Sequence, residues 1–180
     1  IPLGKDDVLV SFLPLSHSFE RMAGYCMAML VGATLYYAES VEKLVENIGE
    51  VRPTVLCSVP RIYEKVYARF MDQVAQAKGA KKALMRWALA VGGEVSGLRQ
   101  KGREPSGLLA MSYRIASKLV FSKLTARMGG RIRFFVSGGA PLSGDIARFF
   151  HAAGMLVIEG YGLTETSPVI SMNRLEAYKF

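Results

Sequence analysis

Two kinds of hydrophobic run alternate along the chain. Short, near-continuous apolar stretches occupy 8–13 (VLVSFL), 34–38 (TLYYA), 54–59 (TVLCSV), 132–137 and 155–159. Their length and their β-branched and aromatic content predict buried strands. Between them, apolar residues recur at intervals of three and four. Phe19, Met22, Ala23, Cys26, Met29 and Leu30 predict one helix, and Val41, Leu44, Val45 and Ile48 a second. Ile62, Val66, Phe70 and Val74 give the stripe of a long third helix, which Pro60 can open because its fixed φ and missing N–H suit a first turn. Another helix is expected over about 143–153. Near-continuous apolar strands alternating with helices predict an α/β fold: a mostly parallel sheet with helices on both faces.

The rhythm breaks over about 61–131. Helix-favouring sequence at 81–91 and 108–128 surrounds SGLRQKGREPSG, a loop-like stretch rich in glycine and charge. Between Arg61 and Arg133 there are 16 Lys or Arg against 4 Asp or Glu, whereas the whole chain carries +8, so the basic character is local. The expectation is a helical basic insertion. It reads either as a solvated surface or as a face for an anionic membrane surface or a nucleotide-bearing thiol substrate. Nucleic acid is not expected, because aromatics such as Tyr67, Trp87 and Tyr113 fall mostly at helix-core spacing rather than forming a stacking platform.

At 180 residues and 51% hydrophobic, the chain can bury the core of one domain or part of one. The seventeen uncharged residues between Arg21 and Glu39 are shorter than the roughly 20 a membrane span needs. Gly32 also divides them. Cys26 and Cys57 lie in apolar runs and are expected to be buried, reduced thiols, as in a cytoplasmic compartment. The chain opens on Ile1 without a signal-like stretch and ends at Phe180 without a turn residue. Residues 1–180 are therefore expected to form a single partial domain of a longer protein.

Candidate chemistry gathers at strand ends. FFVSGGAPLSGDIARFF (134–150) reads as strand, glycine turn and helix, with Gly138 and Gly139 leaving the backbone open to a flat ligand. Ser143 suits a helix N-cap and Asp145 the positive end of the helix. The stretch also reads as an ordinary strand-to-helix turn, and its spacing matches neither the dinucleotide fingerprint nor the P-loop. A second glycine turn, EGYGLTETSP, follows about twenty residues on. Loops at the carboxyl ends of parallel strands line the ligand crevice, so neighbouring strands would open both turns onto one site. There Tyr161 would offer a planar base an aromatic face between Gly160 and Gly162. Thr164 would offer a phosphate its hydroxyl, and Glu165 would offer Mg²⁺ a hard oxygen. LPLSHSFER sets His17 just past the first strand, where structural and ligand-facing roles both stay open.

YGLTE at 161–165, SGGAPL at 137–142 and LPLSH at 13–17, in that order and separation, resemble the adenylate-forming (AMP-binding) acyl-CoA synthetase superfamily. The long basic stretch, LPLSHSFER and LTETSP resemble its long-chain fatty acid–CoA ligase branch. The resemblance implies a fatty acid, ATP and coenzyme A as substrates, with Mg²⁺. A carboxylate would attack the α-phosphate to give an acyl-adenylate and pyrophosphate, and the thiol would then displace AMP. It implies that Tyr161 stacks on adenine, that Glu159, Gly160 and Gly162 line the nucleotide, and that Gly138, Gly139, Ala140 and Pro141 border nucleotide and acyl pocket. Thr164 would touch the α-phosphate, Glu165 would hold Mg²⁺, and His17 would stand where carboxylate and α-phosphate meet. Arg21 occupies the position where some relatives carry an aromatic gate. The family's phosphate loop is expected upstream of Ile1, and its ribose-binding aspartate and C-terminal lid domain beyond Phe180. Residues 1–180 would then be the middle of the large domain, inactive alone. Rival expectations are a ligase for an aryl or amino acid and a non-enzymatic basic membrane-surface module. A homodimer stays open.

Overall fold

The computed structural model describes residues 2–180. Six strands form one sheet: β1 (Val8–Ser11), β2 (Thr34–Tyr37), β3 (Val55–Ser58), β4 (Phe134–Ser137), β5 (Val157–Gly162) and β6 (Val169–Met172). Their order is β2-β1-β3-β4-β5-β6. The first five are parallel, and β6 runs antiparallel to β5. Ser58 pairs with Ser137 and Ser137 with Glu159, so β3 and β4 finish level with the middle of β5.

The period of two along a strand sends alternate side chains to opposite faces. Val10, Leu56, Phe135 and Val157 join the larger core. Leu9, Val55, Cys57, Phe134, Val136 and Ile158 form the smaller one. Both faces are thus apolar and helix-covered, as expected of an α/β sheet, but the cover is uneven. The larger core packs under α2 (Leu44–Val51), α3 (Pro60–Gln76), α4 (Gly79–Arg99) and α7 (Gly144–Ala152). The smaller has a π-helical stretch, Glu20–Cys26, running into the short α1 (Met27–Val31).

That π-winding changes which residues face inward. Its i→i+5 bonds break the three-and-four stripe, so Met29 and Leu30 are 64% and 80% exposed and Cys26 is exposed as well. The expectation of two buried thiols therefore holds for Cys57 alone. In exchange Glu20 and Gly24 turn inward, and a Cβ on Gly24 would lie 2.6 Å from Glu20 Oε1.

The basic insertion is helical, comprising α3, α4, α5 (Gly107–Ala116), a π-helical turn (Ser117–Phe121) and α6 (Ser122–Arg127). It is no solvated appendage. Tyr63, Phe70, Met85, Ala88 and Phe121 all enter the larger core. The Tyr63 ring stands edge-on to Phe135 and Phe150 at 5.8 and 5.5 Å, and its hydroxyl donates to the Val136 carbonyl at 3.0 Å. The helix α4 extends through Arg99, into the stretch read as a loop from Ser96.

At the amino ends of the strands, buried Asp7 accepts the Gly4 N–H at 2.9 Å and the Thr54 hydroxyl at 2.6 Å. It also accepts Arg133 Nη1 at both oxygens, 2.7 and 2.8 Å. Burial raises the pKa of this carboxyl, but Thr54, Gly4 and Arg133 together outweigh burial and leave it lowered. The clamp ties β1 to the starts of β3 and β4.

A second buried polar group anchors the last residues. His151 on α7 meets the Ser96 hydroxyl at Nδ1 and the Tyr178 hydroxyl at Nε2, both at 2.9 Å. The rings of Tyr178 and Phe180 pack on it with centroids at 5.2 and 5.3 Å.

Strand β5 does not stop at Glu159, as its apolar run predicts. It continues through Gly160-Tyr161-Gly162, because β6 supplies a partner: Gly160 pairs with Met172 and Tyr161 with Ser171. Among the described residues, no helix is long and apolar enough to cross a membrane.

Candidate active site

Three loops meet at the carboxyl edge of the sheet. After β1 the chain turns so that the His17 N–H donates to the Pro14 carbonyl at 2.9 Å. The exposed His17 ring accepts the Phe19 N–H at Nδ1, 3.2 Å, which puts the proton of the neutral imidazole on Nε2. After β4, the aromatic edge of buried Phe19 fills the space where Gly138 lacks a side chain. A Cβ there would lie 2.9 Å from Phe19 Cε2. Gly139 has φ of +82°, a left-handed conformation that glycine adopts at little cost. The Leu142 N–H donates to Glu159 Oε1 at 2.8 Å, tying this turn to β5.

The third loop leaves β5 at Gly162 and makes a single 3₁₀ turn, Thr164–Thr166. The Thr166 hydroxyl accepts the Leu163 N–H at 3.0 Å, and Thr164 and Glu165 project exposed from the turn. The hydroxyls of Ser18 and Thr164 stand 3.4 Å apart, joining the loops of β1 and β5 across the ends of β3 and β4.

Two cavities open here. One, of about 490 Å³, is lined mainly by apolar side chains, Met22, Met27, Val55, Cys57 and Val136 among them. Exposed His17, Thr164 and Glu165 and buried Gly138 line it as well. The other, of about 770 Å³, is lined by Ala140, Pro141 and Glu159, with Asn173 and Lys179 opposite. Gly139, Gly160, Tyr161 and Gly162 line both, so β5 and the glycine turn form the wall between them. The eleven residues that the family resemblance assigns to the site thus all line one cavity or the other. Arg21 is exposed and lines neither.

Glu20 is the residue that the sequence reading missed. It is 1% exposed, and its Oε1 has no hydrogen-bond partner among the described residues. Burial raises its pKa, with the Ser11 hydroxyl acting in opposition. Burial first, and the nearby Glu20 carboxyl second, push the Cys57 thiol up to about 12, so this cavity-wall sulfur stays protonated and unreactive. Gly24, one turn along, was the available signal: it leaves room for an inward carboxyl.

Among the described residues, no three His, Cys, Asp or Glu side chains cluster as a metal cage. An exposed carboxylate lining a cavity is nevertheless the kind of hard oxygen ligand that Mg²⁺ takes when substrate phosphates and water complete its shell. Glu165 fits that role.

The parallel α/β sheet thus carries two adjoining cavities at its carboxyl edge, one largely apolar and one of mixed lining, at the edge where such sheets take ligands. The chain belongs to the AMP-binding enzyme family, whose profile matches residues 1–179. It is 39% identical to the peroxisomal long chain acyl-CoA synthetase 7 of Arabidopsis thaliana, over 92% of this chain and 22% of that protein. It is 34% identical to the long-chain-fatty-acid–CoA ligase ACSBG2 of Homo sapiens, over 97% of this chain and 26% of the relative. The chain thus spans about a quarter of the length of the curated relatives it matches. Among solved structures, its fold is similar to the adenylation domain of a carboxylate reductase from Mycobacterium chelonae, at TM-score 0.63 and 25% identity over 93% of this chain and 22% of that one. It is also similar to the corresponding domain from Segniliparus rugosus, solved with AMP and a co-purified carboxylic acid, at TM-score 0.61 and 25% identity over the same shares of each chain.

Proposed function

We propose that the full-length protein carrying this chain is a long-chain fatty acid–CoA ligase, which joins a fatty acid to coenzyme A through an acyl-adenylate. The observation that carries this is the shared wall. An apolar cavity suited to methylene groups and a more mixed one suited to a nucleotide meet at Gly139, Gly160, Tyr161 and Gly162, and His17, Thr164 and Glu165 line the apolar one beside that wall, so a carboxylate and an α-phosphate come together at its end. The exposed Tyr161 ring presents its face to adenine, and the Ala140-Pro141 turn borders the base. The Thr164 hydroxyl donates to the α-phosphate. His17, with its proton on Nε2, donates to the carboxylate and orients it. Mg²⁺, when held by Glu165, supplies positive charge where two anions must approach.

In the first step a carboxylate oxygen bonds to the α-phosphorus and pyrophosphate leaves. In the second the coenzyme A sulfur bonds to the acyl carbon, its proton is lost and AMP leaves. The 180 residues alone are expected to make no thioester. The free thiols of Cys26 and Cys57 suit a reducing compartment such as the cytoplasm.

The test is acid-dependent pyrophosphate release from ATP by the full-length protein, across short, medium and long fatty acids and one aryl acid. Activity is expected to be highest with long chains and to fall about a hundredfold or more in Glu165→Ala. Activity with the aryl acid alone would retain the adenylating chemistry and overturn the substrate. No activity with any acid would overturn the proposal.

A further inference from the structure

After β6 the chain folds into a small closed loop. The Asn173 N–H donates to the Glu159 carbonyl at 2.9 Å, and the Asn173 side-chain amide donates to the Lys179 carbonyl at 3.1 Å. Tyr178 and Phe180 both turn to the buried ring of His151, with centroids at 5.2 and 5.3 Å. Lys179, between them, is exposed and lines the cavity of about 770 Å³, and so does half-buried Asn173. A loop pinned by a buried histidine thus presents an amide and an ammonium to that cavity.

Both groups keep unused hydrogen-bonding capacity. A carbonyl only accepts, so the NH₂ of Asn173 must face Lys179, and Oδ1 is left as an acceptor. Lys179 enters no ion pair among the described residues. It is also, among the described residues, the one Lys or Arg that lines either cavity. Thr164 and Glu165, the groups suited to phosphate and Mg²⁺, line the other cavity, which leaves Lys179 with Ala140 and Pro141 at the base end.

We propose that Asn173 and Lys179 read the edge of the adenine base. Asn173 Oδ1 accepts from the 6-amino group, and the Lys179 ammonium donates to the ring nitrogen beside it. The match is one of pattern. Adenine sets an amino donor next to a ring acceptor, and the loop sets an acceptor on a side chain bonded to the residue that carries the donor. A 6-oxo purine turns an acceptor toward Oδ1 and leaves both oxygens unpaired, the kind of mismatch on which a hydrogen-bonding site discriminates. Asn173 thus sets the choice of base, and Lys179 adds affinity. The inference rests on the ligase reading above, from which it takes ATP as the ligand.

The experiment uses the full-length protein and two readouts. One is pyrophosphate release driven by a long-chain acid, with ATP or inosine triphosphate. The other is calorimetric binding of α,β-methylene-ATP without acid. Asn173→Ala is expected to lower kcat/KM for ATP about tenfold more than for inosine triphosphate, through KM rather than kcat, the worth of one hydrogen bond. Lys179→Met is expected to weaken binding of the analogue about tenfold, and Lys179→Arg to recover most of it. Both lysine variants should keep the parent's melting temperature, since that side chain is exposed. If Asn173→Ala melts lower, the ratio between the two nucleotides still decides, because unfolding reduces both rates alike. A ratio unchanged by Asn173→Ala, or analogue binding indifferent to Lys179→Met, overturns the inference. A parent that binds the analogue but releases no pyrophosphate with any acid fails the ligase reading, and the binding arm then still tests this one. A parent that does not bind the analogue overturns both.

Discussion

Gly160 and Gly162 flank the same tyrosine and line the same wall, yet their neighbours differ. A Cβ on Gly162 would overlap the Pro168 carbonyl, and no rotamer relieves a clash with backbone. A Cβ on Gly160 would meet nothing closer than Met172 Cβ at 3.8 Å. Gly162→Ala is therefore expected to force β5 and β6 apart and cost about 1–3 kcal/mol or more. Gly160→Ala should change stability by less than about 1 kcal/mol while raising the KM for ATP, because its methyl enters the cavity wall. Urea midpoints and KM values of the two variants check the contrast. The sequence drew attention to these glycines as room for a ligand. For Gly138 and Gly162 the requirement comes from protein atoms, Phe19 and Pro168, whose approach no local spacing reveals. Glu20 was illegible for a similar reason, since only the π-helical winding turns a carboxyl between His17 and Met22 into the core.

At the scale of elements, the strands with near-continuous apolar runs were legible because burial on both faces leaves no polar gaps. Strand β6 gave no such signal, as Val169 and Ile170 are 46% and 53% exposed and nothing alternates. The helix stripe over 19–30 was misread because it presumed 3.6 residues per turn. The last residues, 173–180, show how one buried group can hold a segment with little strand or helix of its own. Burial, then the nearby Arg99 charge, push His151 down to about 4, against an ordinary value of 6.5. With the folded value below the unfolded one, the neutral ring's contribution is full above pH 6.5 and is lost as pH falls through about 4. Melts over that window are expected to show a stability loss on the order of a few kcal/mol. His151→Gln should flatten it. An equal acid loss in the variant would assign the effect to other groups.

Across the whole molecule, the fold class and the edge that carries the site were both readable, because parallel sheets place ligands at their carboxyl ends whatever the ligand is. The packing of the insertion was not. Its basic composition suggested a solvated surface, whereas its apolar half completes the larger core. The opposite edge of the sheet is held by polar groups instead. Asp7 joins β1 to Thr54 and Arg133, and Asp7→Asn is expected to cost about 2–3 kcal/mol, by weakening bonds to a charged partner and leaving a buried amide poorly matched. Since the clamp lies at the amino ends, KM values should not change. A shift in KM larger than the urea midpoint explains would show the two edges to be coupled.

The strand order has a consequence for how the protein is made. Apart from β2, each strand from β1 to β6 joins the outer side of the one before it. A chain emerging from the ribosome can lay each new strand against one already in place, with the advancing side always a single unpaired strand. Among these six strands, the wall at Tyr161 is the last to gain its neighbour. A chain stalled before Val169 would have both faces of this sheet formed as far as β5 but would carry β5 bare, and it is expected to be lost by sticking to other chains through that strand rather than by unfolding.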